Sequence, residues 1–86
     1  MPFIHEIRVL DLDAGRLMIA ESKVKSAVRR LNLRAGINMV ADNLAITRQG
    51  LLDKTPVLLV DGKIVQHSRP IETSQLIELL SELLEG

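Results

Sequence analysis

The chain has 86 residues, of which 11 are Lys or Arg and 11 are Asp or Glu, and it contains no cysteine. This length suits one domain, and the balanced charge gives no general attraction to nucleic acid or to an anionic membrane. Without cysteine there are no disulfide bonds, thiolate metal sites or thiol reactions. We therefore expect a single domain over residues 1–86 that has no thiol-based redox activity of its own.

A strand followed by a long helix is predicted for the first part of the chain. Residues 3–10 are rich in β-forming side chains and alternate loosely between apolar and polar. An apolar period of three to four residues then runs from Leu17 to Leu31, which is typical of a helix with one buried face. Asp13 is placed to cap the start of this helix, and Asn32 can adopt the left-handed backbone that ends one.

A second strand and a short helix follow. Residues 37–41 form the predicted strand, and Asp42 can cap a helix that stops at Gly50. A strand, a helix and a second strand in this order favour a parallel pair joined by a right-handed crossover.

A β-hairpin and a last helix complete the predicted order. Residues 57–60 and 63–66 flank Asp61-Gly62, a pair that tolerates the positive φ angles of a type I′ turn. Beyond Pro70 the last helix has a broad apolar face formed by Leu76, Ile77, Leu79, Leu80, Leu83 and Leu84. The predicted fold is α/β, β-α-β-α-β-β-α, with a mixed four-stranded sheet flanked by three helices.

Two stretches resemble thioredoxin-like and glutaredoxin-like proteins. Residues 55–65, Thr-Pro-Val-Leu-Leu-Val-Asp-Gly-Lys-Ile-Val, are similar to the segment in which a cis proline opens a strand and an Asp-Gly hairpin follows. Residues 7–10 leading into 24–31 resemble the first strand and helix of small proteins of this family. The resemblance covers nearly the whole chain and implies a thioredoxin-like fold with a cis Thr55–Pro56 bond.

The family's Cys-x-x-Cys motif falls by spacing on residues 14–17, where Ala14 and Leu17 occupy the two cysteine positions. The resemblance therefore implies a non-catalytic module without a cofactor. In the family, the backbone beside the cis proline pairs with an extended partner segment. The implied binding site for a protein or peptide partner consists of Ala14, Gly15, Leu17, Thr55 and Pro56.

Metal and glutathione sites are not expected. His5 and His67 begin and end strands that run parallel in the predicted sheet, so they lie at opposite ends, and zinc requires three or four ligands. Asp11 and Asp13 are interpreted as a turn residue and a helix cap. Residues 67–70, His-Ser-Arg-Pro, do not match the glycines with which the resembled family binds glutathione.

Two further functions stay open as alternatives. The leucine-rich last helix favours a homodimer or a subunit of a complex, because a broad apolar face needs a cover. Residues 16–34 carry six basic side chains against the single acidic Glu21, which favours weak binding of nucleic acid, although a solvated helix face is the ordinary interpretation.

The sequence also predicts the cellular location. The longest apolar runs are too short to cross a bilayer, and residues at the N-terminus lack the basic and apolar blocks of a signal peptide. Phe3 is the only Phe, Tyr or Trp residue, so there is no aromatic platform for single-stranded nucleic acid. We expect a cytoplasmic protein that does not bind membranes and for which nucleic acid is a poor partner.

Overall fold

The computed structural model describes residues 3–86, which form a four-stranded sheet with helices on both faces. The elements are β1 Glu6–Leu10, α1 Ala14–Arg30, β2 Gly36–Val40, α2 Asn43–Arg48, a 3₁₀ turn at Leu52–Lys54, β3 Val57–Val60, β4 Lys63–His67 and α3 Thr73–Glu85. The strand order is β2-β1-β3-β4, with β1 parallel to β2 and antiparallel to β3, and β3 antiparallel to β4. The predicted mixed sheet with three helices is confirmed.

Strand ends differ from the predicted ones by a few residues. The first strand begins at Glu6 rather than at residue 3, because its ladder starts where Glu6 lies opposite Gly36. The second strand likewise begins at Gly36, whose N–H donates to the His5 carbonyl at 2.8 Å. The last strand extends to His67, which lies opposite Val57. Each of these ends is determined by the residue that lies opposite on the neighbouring strand, and a local sequence pattern does not identify that residue.

Both predicted helix caps are present. The carboxylate of Asp13 accepts the Arg16 backbone N–H at 2.9 Å, and the carboxylate of Asp42 accepts the Leu44 N–H at 2.9 Å. Beyond α1, Asn32 has a φ of 53°, the left-handed conformation expected for a residue that ends a helix. The side chains of Asp13 and Asp42 thus satisfy backbone N–H donors that the start of a helix leaves free.

The turn between β3 and β4 has the predicted type I′ character. Asp61 and Gly62 have φ angles of 49° and 85°. The Asp61 carboxylate also accepts the backbone N–H groups of His5 and Glu6, at 2.9 and 2.8 Å. Asp61 thus occupies the first central position of the turn, and its side chain links the hairpin to the start of β1.

The hairpin contains a β-bulge on its edge strand. Leu58 lies opposite Gln66, whereas the next residue, Leu59, lies opposite Ile64. Val65 is therefore the extra residue of β4, and its half-buried side chain packs against the larger core. A bulge of this kind bends the strand and increases its local twist.

The core has two layers of unequal size. The larger lies between the sheet and helices α1 and α3, and the smaller lies on the α2 face around Leu10, Ile46 and Leu51. Residues of β3 alternate between them, so that all four, 57–60, are buried. This two-sided burial explains why the strand contains no polar side chain. Fully buried side chains of the larger layer include Ile7, Val9, Val24, Leu58 and Leu80.

Candidate functional site

Three segments meet at one end of the sheet, where β1 and β4 finish and β3 begins. Leu10, at the end of β1, lies opposite Val57 at the start of β3, which in turn lies opposite His67 at the end of β4. The loop before α1, the Thr55–Pro56 step and the segment after β4 are therefore neighbours. A cavity of about 310 Å³ lies between them.

The walls of this cavity are largely apolar. Ile19 and Ala20 come from α1, Pro56 opens β3, and Pro70 and Ile71 follow β4. Ile19 is 58% exposed, although it belongs to a helix whose buried residues are three to four positions apart. Ala20 and Ile71 belong to the larger core, whereas Ile19 offers an apolar surface that the core does not use.

The Thr55–Pro56 bond is cis, as expected from the resemblance. Thr55 has extended backbone angles, φ −69° and ψ 145°, and is half-buried. Within residues 3–86 neither its N–H, its carbonyl nor its hydroxyl has a hydrogen-bond partner. The backbone of Thr55 is therefore free to pair with another extended chain.

The residues on both sides of Thr55 are clamped by the segment after β4. The Ser68 N–H donates to the Lys54 carbonyl at 2.9 Å and to the Pro56 carbonyl at 3.1 Å. Ser68 adopts a left-handed φ of 58°, which directs the chain across the Thr55–Pro56 step. Arg69 follows at once, so its position relative to Thr55 is set by backbone hydrogen bonds.

An ion pair between the buried Asp11 and the exposed Arg16 supports the other side of the cavity. The Asp11 side chain is 1% exposed and accepts the Arg16 Nε at 2.8 Å, the Arg16 Nη2 at 2.8 Å and the Asp13 N–H at 3.1 Å. Burial raises the pKa of Asp11, but the hydrogen bonds and charge of Arg16, with backbone N–H groups, outweigh it and hold the pKa below its ordinary value. Asp11 is thus an ionised structural carboxylate.

The remaining charges of the cavity are not equally compensated. Lys23 forms an ion pair with Glu72, with Nζ and Oε2 3.1 Å apart. Arg69 is exposed, and no carboxylate of residues 3–86 lies within 4.0 Å of its guanidinium group. The cavity therefore has one cation, Arg69, without an acidic partner in the described chain.

The residues implied by the resemblance do not form one continuous surface. Thr55 and Pro56 line the cavity. Ala14 and Gly15 are exposed in the first turn of α1, outside the cavity lining. Leu17 is 8% exposed and packs in the larger core, because a residue three positions after Ala14 turns towards the sheet.

Sequence reasoning missed several residues that line the cavity. Ile19 left a signal, since it is apolar but lies off the buried stripe of α1. The Asp11–Arg16 pair could not be predicted, because Asp11 precedes α1 and the spacing rules for ion pairs apply only within a helix. Arg69 and Ser68 also left no signal, since only the folded chain places them beside Thr55.

The leucine-rich face of α3 is largely used within the chain. Leu76 and Leu80 are 2% and 0% exposed. The half-buried residues that pack against the larger core are Ile77, Leu79, Leu83 and Leu84. Less apolar surface is thus available for a homodimer than the sequence pattern suggests, and dimerisation stays a prediction.

Residues 3–86 contain neither a cluster of metal ligands nor a membrane-spanning helix. No group of three or more His, Asp or Glu side chains converges as metal ligands would. In the same part of the chain, no helix combines the length and the apolar character needed to cross a bilayer.

Comparison of the chain with protein-family models, with curated proteins and with solved structures finds no match. The function of the site is therefore argued from its geometry and its chemistry.

Proposed function

We propose that this chain is a non-catalytic, thioredoxin-like binding module that holds an extended segment of a partner protein or peptide beside Thr55 and Pro56. The observation that carries this proposal is the backbone of Thr55, which is extended and has no hydrogen-bond partner in residues 3–86. The element order β-α-β-α-β-β-α, which it shares with the resembled family, supports the assignment.

The binding mode is the addition of a short strand. The N–H and carbonyl of Thr55 pair with the backbone of the incoming segment, while the Pro56 carbonyl is already used by Ser68. Alternate side chains of an extended segment point to the same side, so one of them enters the cavity. There it contacts Ile19 and Ile71, and apolar contact adds to the backbone hydrogen bonds.

The residues at the start of α1 have separate roles in this proposal. Ala14 and Gly15 are small and exposed, so they leave room for a segment that continues past the cavity. Leu17 acts from the core, where it anchors the first turns of α1 against the sheet. No step requires a thiol, in agreement with the absence of cysteine.

The proposal is tested with a displayed library of random peptides selected against the wild-type protein. The affinity of an enriched peptide is then measured by fluorescence anisotropy for two variants of neighbouring α1 residues. Ile19→Ser removes an apolar wall and should weaken binding roughly ten- to a hundredfold, since a buried Ile side chain contributes about 1.5–3 kcal/mol. Met18→Ser is the matched control, because Met18 is 71% exposed and lies outside the cavity lining.

Methylation of single backbone nitrogens in the peptide tests strand pairing itself. A paired N–H is lost on methylation, so only the positions opposite Thr55 should lose affinity. The proposal is wrong if no peptide is enriched, or if Ile19→Ser and Met18→Ser bind an enriched peptide equally well.

A further inference from the structure

We infer that the segment bound beside Thr55 is acidic, and that a carboxylate of that segment pairs with the Arg69 guanidinium. This inference rests on the proposed function and adds the chemical class of the partner. It follows from the charges of the cavity, from the way in which Arg69 is held and from the residues on its other side.

The charges that surround the cavity leave one cation unmatched. Arg16 is paired with Asp11, and Lys23 is paired with Glu72. Arg69 has no carboxylate within 4.0 Å in residues 3–86. A segment with one carboxylate at this position therefore complements the cavity, whereas a basic segment meets a like charge.

The position of Arg69 is suited to a segment paired with Thr55. Ser68, the preceding residue, donates its N–H to the carbonyls of both Lys54 and Pro56, which flank Thr55. On the following side, the carbonyl of Pro70 accepts the Gln66 Nε2 at 3.2 Å. The backbone that carries Arg69 is thus fixed relative to the free backbone of Thr55.

The other side of Arg69 is acidic and directs the carboxylate towards Thr55. Arg69 also borders a second cavity, of about 510 Å³, between β4 and α3. Glu78 and Glu82 line that cavity, and neither is within 4.0 Å of Arg69. Like-charge repulsion disfavours a second acidic group on their side, so the incoming carboxylate approaches from the Thr55 side.

Arginine suits this contact better than lysine does. The planar guanidinium group presents a fork of N–H donors that matches a carboxylate in a bidentate pair. Arg69→Lys retains the charge but loses the fork, so it should bind an acidic peptide with an affinity between those of the wild type and Arg69→Gln.

The experiment uses the peptides enriched by the wild-type protein from the random library. We expect Asp or Glu at one fixed position relative to the apolar residue that enters the cavity. Arg69→Gln should weaken the binding of such a peptide roughly tenfold. Replacing the acidic residue of the peptide by Gln or Asn should weaken its binding to the wild type by a similar factor. The same replacement should hardly change its binding to Arg69→Gln, because that variant no longer has the guanidinium partner.

Arg30→Gln is the matched control, because Arg30 is an exposed arginine at the end of α1 that has no ion pair within residues 3–86. It should bind the peptide as the wild type does. The peptide substitution needs no change in the protein, so it tests the pairing even if Arg69→Gln folds poorly.

The outcomes separate the two proposals. Enriched peptides without an acidic preference, or an acidic preference that Arg69→Gln leaves unchanged, overturn the pairing with Arg69 while binding beside Thr55 stands. A library that yields no enriched peptide overturns both.

Discussion

Replacement of the buried carboxylate by an amide of the same shape is the sharpest test of the Asp11–Arg16 pair. In the wild type, one Asp11 oxygen accepts the Asp13 N–H and the Arg16 Nη2, and the other accepts the Arg16 Nε at 2.8 Å. Asp11→Asn puts an NH₂ group in place of one oxygen. At least one Arg16 N–H then faces another donor.

The size of the effect follows from the burial of Asp11. A buried polar group that loses its partner costs about 1–3 kcal/mol. The Arg16 side chain is 58% exposed, so water can replace part of what it loses, and the lower half of that range applies. We expect Asp11→Asn to lower the free energy of unfolding by about 1–2 kcal/mol, which lowers the Tm by roughly 4–16 °C for a domain of this size.

The pH dependence has a definite sign. The pKa of Asp11 is lower in the folded chain than its ordinary value of 3.8, so the folded chain binds this proton less readily than the unfolded chain does. The stabilisation from Asp11 is therefore complete above this ordinary pKa and is lost as the pH falls through the lower folded value. Asparagine does not titrate, so the difference in the free energy of unfolding between the wild type and Asp11→Asn should become smaller below pH 3.8.

Urea unfolding followed by circular dichroism, near neutral pH and below pH 3.8, measures both effects. Asp53→Asn is the control, because Asp53 is exposed in the 3₁₀ turn and has no ion pair in residues 3–86. It should change stability by less than about 0.5 kcal/mol. A difference for Asp11→Asn as small as the control, or one that stays constant across both pH values, would refute this account of the pair.

Two further substitutions test the core and the hairpin by the same urea assay. Leu80→Ala empties a fully buried position of α3 and should lower the free energy of unfolding by about 2–5 kcal/mol. The control Leu44→Ala, at a position 64% exposed, should change it by less than about 0.5 kcal/mol, and equal effects would contradict the two-layer core. In Gly62→Ala the added Cβ meets no atom within 4 Å, so the expected loss of about 1 kcal/mol in the free energy of unfolding comes from the φ of 85° alone. Gly62→Asn should lose less, and an unchanged stability of Gly62→Ala would argue against the type I′ turn.

Much of the fold could be predicted because its signals are local. The caps at Asp13 and Asp42, the left-handed Asn32 and the Asp61-Gly62 turn each act within a few residues, and the structure contains all of them. A mixed sheet with a parallel pair was also expected, and the parallel pairing of β1 with β2 and the antiparallel pairing of β1 with β3 confirm it.

What the sequence could not predict depends on contacts between distant segments. The hydrogen bond that the Glu6 N–H donates to the Asp61 carboxylate spans 55 residues. The hydrogen bonds from the Ser68 N–H to the Lys54 and Pro56 carbonyls form only after β4 has paired with β3. Of the candidate site, Thr55 and Pro56 were found through the resemblance, but Arg69 was not. Leu17 was placed in the binding site by the spacing of the family motif, although the apolar period of the same helix already put it on the buried face.

The bulge at Val65 has a consequence for the behaviour of this protein at high concentration. β4 is an edge of the sheet, and a flat edge strand with apolar side chains such as Ile64 is a template for edge-to-edge aggregation. The extra residue bends this edge, and Lys63 adds a charge at its start. Both features oppose the stacking of flat strands from which fibrils grow. The protein can therefore present a free backbone at Thr55 while this edge is protected against self-association.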